Sequence, residues 1–126
     1  MFNGIDVFSV WYNHLMPAKQ SELSPVLVMV TAGSSEEAHV IADKLLSLRK
    51  AACVNIITGV SSFFWWKGCI DSSRETMLLI KTRKALLDDV IALVKSIHSY
   101  ELPEIIALPI VSGSQDYLDW IANETA

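Results

Sequence analysis

The sequence predicts an α+β fold of the ferredoxin-like type, with the element order β-α-β-β-α-β, a long central hairpin and a short C-terminal helix. Three observations carry this prediction. Residues 26–31 form a continuous apolar run that is too short for a free-standing helix and is typical of a buried strand. Residues 53–82 read as two long extended segments that turn back on each other. An amphipathic helical pattern follows the first strand, and another follows the hairpin.

The first strand is expected to end near Gly33 and to be followed directly by a helix. Ser34 stands three residues before Glu37, which is the spacing of a capping box. Apolar residues then recur at intervals of three and four, at Ala38, Ile41, Ala42, Leu45 and Leu48. We therefore expect the first helix to run to about residue 50.

The central hairpin carries bulky aromatic residues at four successive positions. A bend is expected at Gly59, because glycine within a strand marks a bulge, and a tight turn at Lys67 and Gly68. Successive strand residues point to opposite faces. Two of the aromatics must therefore lie on each face, Phe63 and Trp65 on one and Phe64 and Trp66 on the other. A single layer of helices could cover only one of these faces, so the other needs a partner.

The second half of the chain repeats the pattern of strand and helix. The return strand is expected at about residues 69–82, and a second helix follows with Lys95 and His98 in its last turn, where positive charge is favourable. A fourth strand is expected at residues 105–108, and the aromatic residues around position 120 indicate a short closing helix. This strand order also occurs in RNA-recognition modules, but residues 74–82 of the third strand contain no aromatic residue on which a base could stack.

Composition indicates an oligomer that does not bind nucleic acid. The chain has 126 residues, of which 52% are hydrophobic and 19% charged. A monomer of this size would have difficulty covering so much apolar surface, so a subunit interface is expected. The net charge of −4 argues against recognition of a phosphate backbone.

Residues 1–25 differ in character from the rest and are interpreted as a variable N-terminal extension to a domain of residues 26–126. No Lys or Arg precedes Lys19, and the segment falls short of a membrane span. Cys53 and Cys69 have neither the density of a disulfide scaffold nor a metal-binding spacing, which favours a reducing cytoplasm. No common catalytic motif is present, so no enzymatic activity is expected.

Five sequence motifs together resemble those of the CutA divalent-cation tolerance proteins. They are AACVN, the aromatic hairpin ending in WxG, IKT, HxYExPEIIALPI and DYLDWI, and the resemblance as a whole covers about residues 26–121. The resemblance implies a tight homotrimer around a threefold axis and a response to copper or another divalent metal ion. It implies no organic cofactor and no membrane or nucleic-acid partner.

Copper requires soft or imidazole ligands, and the candidates are Cys53 and His98. Cys53 lies in AACVN, although a thiol at the start of a buried strand is more often a small hydrophobic residue. His98 matches the histidine of the motif, with Ser99 in place of the usual proline. Its alternative role is to interact favourably with the helix dipole at the C-terminal end of the second helix. The resemblance aligns two further proposed family ligands with Val30 and Ile97, so this chain lacks them.

The resemblance also suggests a cleft between subunits, as in the nitrogen-regulatory PII proteins, which the trimers resemble in architecture. Candidate residues are aromatic or carry opposite charges: Trp65, Trp66, Lys67, Lys81, Tyr100, Glu104, Tyr117 and Trp120. Most aromatic residues of this kind are structural. Three alternatives remain open at this point: metal sequestration, signalling through a small anionic effector at the subunit junction, and a trimeric scaffold.

Overall fold

The computed structural model describes residues 22–126 and confirms the predicted element order. The strands are β1 (Pro25–Ala32), β2 (Cys53–Trp66), β3 (Cys69–Arg83) and β4 (Ile105–Pro109). The helices are α1 (Ser35–Ser47), α2 (Leu87–Ile97), which follows a 3₁₀ turn at Lys84–Leu86, and α3 (Gln115–Glu124). The antiparallel sheet has the order β2-β3-β1-β4. Most of the predicted N-terminal extension, residues 1–21, lies outside the described residues. No helix in the described part is long and apolar enough to cross a membrane.

Helix α1 is bounded by two recognisable caps. The Ser34 side chain accepts a hydrogen bond from the Glu37 amide, as the capping-box spacing predicts. Glu37 departs from that prediction, since its carboxylate accepts from the amide of Gly33 rather than from that of Ser34. The helix ends at Ser47, three residues earlier than expected, because Arg49 adopts a positive φ of 59° and the chain closes in a Schellman-type turn.

The sheet has one covered face and one open face. On the covered face, valines of β1 stand opposite aliphatic residues of β3, with Val28 beside Ile80 and Val30 beside Leu78, all fully buried. Helices α1 and α2 pack over these residues, with Ile41, Leu45, Val90 and Val94 completing the core. The intervening residues point to the other side of the sheet.

The open face carries three rows of mainly apolar residues that run across the sheet. The rows, read from the strand register, are Cys53, Lys81, Leu27 and Leu108; then Asn55, Leu79, Met29 and Ile106; then Ile57, Met77 and Thr31. Ile57, Ile106 and Leu108 are each about half exposed. No helix of the described chain covers most of this face in the way that α1 and α2 cover the opposite one.

The central hairpin projects beyond the core, as its length and composition predicted. The register between β2 and β3 shifts between Ile57 and Val60, and Gly59 has a φ of +73°, so the expected bulge is present. The turn residues Lys67 and Gly68 both have positive φ, which suits a tight hairpin. Two of the aromatics beyond the bulge remain largely uncovered in a single chain, with Phe63 75% and Trp65 73% exposed.

Candidate functional site

The His98 side chain is fully buried at the C-terminal end of α2, and both of its ring nitrogens are engaged. Nε2 lies 2.8 Å from the carbonyl oxygen of Thr31, and Nδ1 lies 3.1 Å from the amide nitrogen of Tyr100. A carbonyl can only accept and an amide N–H can only donate, so this pattern assigns the neutral tautomer with the proton on Nε2. The ring therefore has no free lone pair for a metal ion in this conformation.

Glu37 holds the segment after α2 against the end of β1. Its Oε1 accepts a hydrogen bond from the Gly33 amide at 3.0 Å, and its Oε2 accepts one from the Ser99 amide at 2.7 Å. Burial acts to raise the pKa of Glu37, but the hydrogen bonds from Gly33 and Ser99 outweigh it and lower the pKa below its usual value. The Nδ1 atom of His98 lies 3.9 Å from Oε2, but it accepts from Tyr100 and forms no ion pair in this tautomer.

Tyr100 links the same segment to the hairpin. Its hydroxyl donates a 2.9 Å hydrogen bond to Oε2 of Glu75, which is only 8% exposed. Burial raises the pKa of the Tyr100 phenol, and the hydrogen bond and negative charge of Glu75 raise it further. The ring can approach this closely because residue 33 is glycine: a Cβ there would lie 3.2 Å from Cε1 of Tyr100.

A cleft of about 910 Å³ opens between this segment and the outer half of the hairpin. Its lining residues are Thr31, Ser61, Ser62, Phe63, Phe64, Trp65, Trp66, Asp71, Glu75, Ser99, Tyr100, Glu101, Leu102, Pro103 and Glu104. Four of these side chains are carboxylates, and none is Lys, Arg or His. We call this space the hairpin cleft.

The predicted junction residues divide into two groups. Trp65, Trp66, Tyr100 and Glu104 line the hairpin cleft, and Lys67 at the hairpin tip places its Nζ 5.7 Å from the ring centroid of Trp66. The other three form a separate cluster. Lys81 Nζ donates to the hydroxyl of Tyr117 at 3.4 Å, and the rings of Tyr117 and Trp120 lie 5.4 Å apart. A single chain therefore does not bring all eight residues together, and the cleft between subunits stays a prediction.

Cys53 does not meet His98 within the chain. Cys53 stands opposite Lys81, and Lys81 stands opposite Leu27, four residues before Thr31. Cys53 thus lies two strands across the sheet and four residues along it from Thr31. Their backbones are on the order of 15 Å apart. The Cys53 thiol lies 3.8 Å from Oδ1 of Asn55 instead. Among residues 22–126, no group of three or more His, Cys, Asp or Glu side chains is arranged to hold a metal ion.

The remaining candidate positions lie apart from the cleft. Val30 is fully buried in the core and Ile97 packs against it, so the two positions of the proposed family ligands contribute to packing here. Cys69 is exposed beside the hairpin turn opposite Trp66, and both cysteines are free. His39 lies on the exposed side of α1 with Nδ1 2.7 Å from the carbonyl oxygen of Ser35.

Comparison with known proteins identifies the family. The CutA1 divalent ion tolerance protein pattern matches residues 26–124, which is most of the chain. The chain belongs to the CutA1 family. Its matched region begins at the predicted domain boundary.

Individual CutA relatives agree with this assignment. The chloroplastic CutA 1 protein of Oryza sativa is 38% identical over 124 residues, covering 98% of this chain and 70% of the relative, so the likeness extends into residues 1–25. The divalent-cation tolerance protein CutA of Thermus thermophilus is 41% identical over 99 residues, covering 79% of this chain and 96% of the relative. The crystal structure of CutA1 from Oryza sativa has a TM-score of 0.80 at 40% identity and covers 84% of this chain and 97% of that one.

Two residues that organise the segment after α2 were missed by sequence reasoning. Glu37 was read as a capping residue alone, and Glu75 was read as part of a strand. A partial signal for Glu75 was present, because it directly precedes a buried apolar run in the third strand, where a carboxylate needs a partner. The partner is Tyr100, which lies 25 positions away in the chain, so the local sequence around Glu75 does not identify it.

Proposed function

We propose that this protein is a homotrimeric divalent-cation tolerance protein that acts by binding rather than by catalysis, with copper as the first candidate ion. Family membership supports the general role. The observation that supports assembly is the open face of the sheet. The resemblance gives the number of subunits as three.

The open face and the sheet edges together favour association. Ile57, Ile106 and Leu108 are about half exposed on this face, and they lie on the two edge strands, β2 and β4. A long edge strand presents unpaired backbone groups that readily pair with another chain. Phe63 and Trp65 on the hairpin are also exposed, so this apolar surface would also be covered by a partner chain. A second and third copy could cover both kinds of surface.

The test of assembly is molar mass measured by light scattering during size exclusion. Ile106→Glu places a charge on the open face at a half-exposed position, so it should disrupt the trimer without entering the core of a subunit. Val40→Glu, at an exposed position on α1, is the matched control and should leave the trimer intact. A trimer that survives Ile106→Glu, or a wild-type monomer, contradicts the proposal.

Cys53 is the stronger candidate for a soft-metal ligand. Its thiol is partly exposed on the open face, whereas both ring nitrogens of His98 are already hydrogen-bonded. Cu(I) favours thiolate ligands, and further ligands would have to come from a neighbouring subunit or from solvent. We therefore expect binding that depends on assembly and on Cys53, while His98 contributes only if its segment opens.

Copper binding is tested by anaerobic competition of the reduced protein against a chelator, separately with Cu(I) and Cu(II). The proposal predicts saturable uptake of one ion per subunit or per trimer that is lost in Cys53→Ser. Cys69→Ser is the control, because this exposed thiol lies in β3 opposite Trp66, at the far end of the hairpin from Cys53. Uptake that is equal in all three proteins, or that is absent in the wild type, would overturn the assignment to Cys53.

Signalling through a small effector remains a second candidate because the hairpin cleft has the size of a ligand site. Its four carboxylates and the absence of Lys, Arg and His from its lining do not suit the anionic effector suggested by analogy with PII proteins. An effector should still bind in Cys53→Ser, whereas a purely scaffolding trimer should bind neither metal nor effector.

We also propose a cytoplasmic location from the two free thiols, although relatives include a chloroplastic protein and one described as periplasmic.

A further inference from the structure

The two strands of the central hairpin lose their register at the bulge between Ile57 and Val60. Regular pairing resumes at Val60, which stands opposite Glu75. Gly59 has a φ of +73° within the bulge, and glycine is the residue whose backbone is least restrained. A bulge bends its strand and increases the local twist. The bulge therefore sets the angle at which the outer half of the hairpin, residues 60–75, leaves the sheet.

A side chain from outside the hairpin is bonded at the level where regular pairing resumes. The hydroxyl of Tyr100 donates a 2.9 Å hydrogen bond to Oε2 of Glu75, the residue opposite Val60. The side chain of Ser73, two positions further out on β3, also interacts with this hydroxyl. Glu75 is only 8% exposed, so water competes little for the bond. The bond therefore fixes the point from which the outer half of the hairpin departs.

Tyr100 is itself held firmly by the body of the subunit. Its amide donates to Nδ1 of the buried His98, and its ring packs against the same imidazole at a centroid distance of 4.8 Å. The amide of the preceding residue, Ser99, donates to Glu37. Gly33 brings the end of β1 against the ring, because a Cβ there would lie 3.2 Å from Cε1. The hydroxyl of Tyr100 therefore offers the hairpin a fixed attachment point.

Small changes of angle at the bulge become large displacements at the hairpin tip. Six positions separate Val60 from Trp66, which is roughly 20 Å of extended strand. A change of about 10° in the angle would move the tip by roughly 3 Å. Phe63 and Trp65 lie along this length and carry the exposed apolar surface that the proposed assembly covers. The centre of a protein interface packs as densely as a protein interior, so a displacement of this size would separate the two surfaces.

We propose that the Tyr100–Glu75 bond positions the hairpin for assembly, by holding it in the free subunit at the angle that neighbouring subunits require. Partners that are preorganised lose less conformational entropy when they associate. This inference rests on the homomeric assembly proposed above. It adds that assembly depends on a bond inside each subunit, whose two residues need not touch a neighbour.

The first test measures how fast subunits exchange between unlabelled and isotopically labelled protein, with native mass spectrometry as the readout. The urea concentration is one at which the wild type exchanges slowly but measurably. Tyr100→Phe removes the donor, and its exchange should be about tenfold faster. Glu75→Gln keeps an acceptor oxygen for the hydroxyl, so its rate should lie closer to that of the wild type.

The outcomes separate this inference from the proposal of assembly. A wild-type protein that is monomeric would overturn both. An assembled wild type whose exchange rate is unchanged in Tyr100→Phe would overturn the positioning role alone. Val90→Ala controls for general loss of stability, because it leaves a cavity in the core near the start of α2 without changing a hairpin contact. Exchange as fast in Val90→Ala as in Tyr100→Phe would also contradict the positioning role.

The angle of the hairpin is measured by electron–electron resonance between nitroxide labels on Cys69, which is exposed beside the hairpin turn. Cys53→Ser serves as the background, so that each subunit carries one label, and the protein concentration is one at which sizing shows assembly. Tyr100→Phe should broaden the distribution of distances between hairpin tips by about 3 Å. Tyr117→Phe, which removes the hydroxyl that contacts Lys81, should leave it narrow. Equal widths for the two variants would contradict the proposal.

Discussion

The hydroxyl of Tyr100 donates a 2.9 Å hydrogen bond to Oε2 of Glu75, and this bond joins the segment after α2 to the central hairpin. Twenty-five positions separate the two residues in the chain. The bond fixes Tyr100 at the base of the hairpin cleft, where it also packs against the His98 ring at a centroid distance of 4.8 Å. The shape of the cleft therefore depends on a contact between two distant segments.

Tyr100→Phe should destabilise the protein by about 1–3 kcal/mol, because it removes a hydrogen-bond donor from the buried Glu75. Chemical denaturation at pH 7 measures this change. The control is Tyr117→Phe, which loses a longer, 3.4 Å contact with Lys81 at a more exposed position and should change stability by less than about 0.5 kcal/mol. Equal effects of the two substitutions would contradict the role given to the Tyr100 bond.

The same tyrosine predicts a pH dependence at alkaline pH. The pKa of Tyr100 is raised in the folded protein by burial and by Glu75, so the neutral phenol is favoured by folding. The stabilisation from the neutral Tyr100 phenol is therefore fully present below the pKa of tyrosine in the unfolded chain, about 10. It is lost as the pH rises through the higher pKa of Tyr100 in the folded protein. Ultraviolet titration should show a phenol ionising above the usual range that is absent in Tyr100→Phe. A titration unchanged by this substitution would contradict the assignment.

Gly33→Ala should displace Tyr100 and destabilise the protein by about 1 kcal/mol. The new Cβ would lie 3.2 Å from Cε1 and 3.3 Å from the hydroxyl of Tyr100, whose ring is held by Glu75 and His98. Gly113→Ala is the matched control, since its nearest contact, to Leu118, is an ordinary 3.5 Å. Thermal unfolding of both variants tests the prediction, and equal melting temperatures for the two would contradict it.

Glu37→Gln should cost about 1–3 kcal/mol at neutral pH. The two carboxylate oxygens accept from two different amides, those of Gly33 and Ser99, whereas glutamine has only one acceptor oxygen and must turn its NH₂ group toward the other amide. Glu36→Gln, one position earlier and exposed, is the control and should have little effect. Denaturant unfolding at pH 7 measures both.

The pH dependence of this effect has a defined direction. The pKa of Glu37 is lowered in the folded protein, so its stabilisation is present above the unfolded pKa, near 4.5, and is lost as the pH falls through the lower folded value. The stability difference between the wild type and Glu37→Gln should therefore shrink in acid. A difference that remains constant into strong acid would show that the ionised carboxylate is not its source.

His98→Gln should destabilise the protein by about 2 kcal/mol without reducing copper affinity. The ring is buried and bridges the Thr31 carbonyl to the Tyr100 amide, so its removal leaves both backbone groups without this partner. His39→Gln, on the exposed side of α1, is the control for stability. Nitrogen NMR of the imidazole should report the neutral tautomer with the proton on Nε2. Loss of copper binding in His98→Gln, with the fold retained, would show that His98 is a ligand.

Local sequence patterns determined the secondary structure of this protein. The spacing of apolar residues predicted both core helices and all four strands, and Gly59, Lys67 and Gly68 marked the bulge and the turn. These features depend on backbone preferences and on periodicities that act within a few residues. The exposed aromatics of the hairpin were foreseen for the same reason, because alternation along a strand assigns each residue to a face.

The composition of the site was decided by the tertiary structure. Glu37 meets Ser99 across 62 positions and Glu75 meets Tyr100 across 25, and no local pattern brings these pairs together. Sheet order and strand register placed Cys53 and Lys81 toward one end of the open face and the hairpin cleft toward the other. The motifs therefore identified the family and most of the residues, but only packing determined which of them touch, because contacts between distant segments depend on how the whole sheet and its crossing helices are arranged.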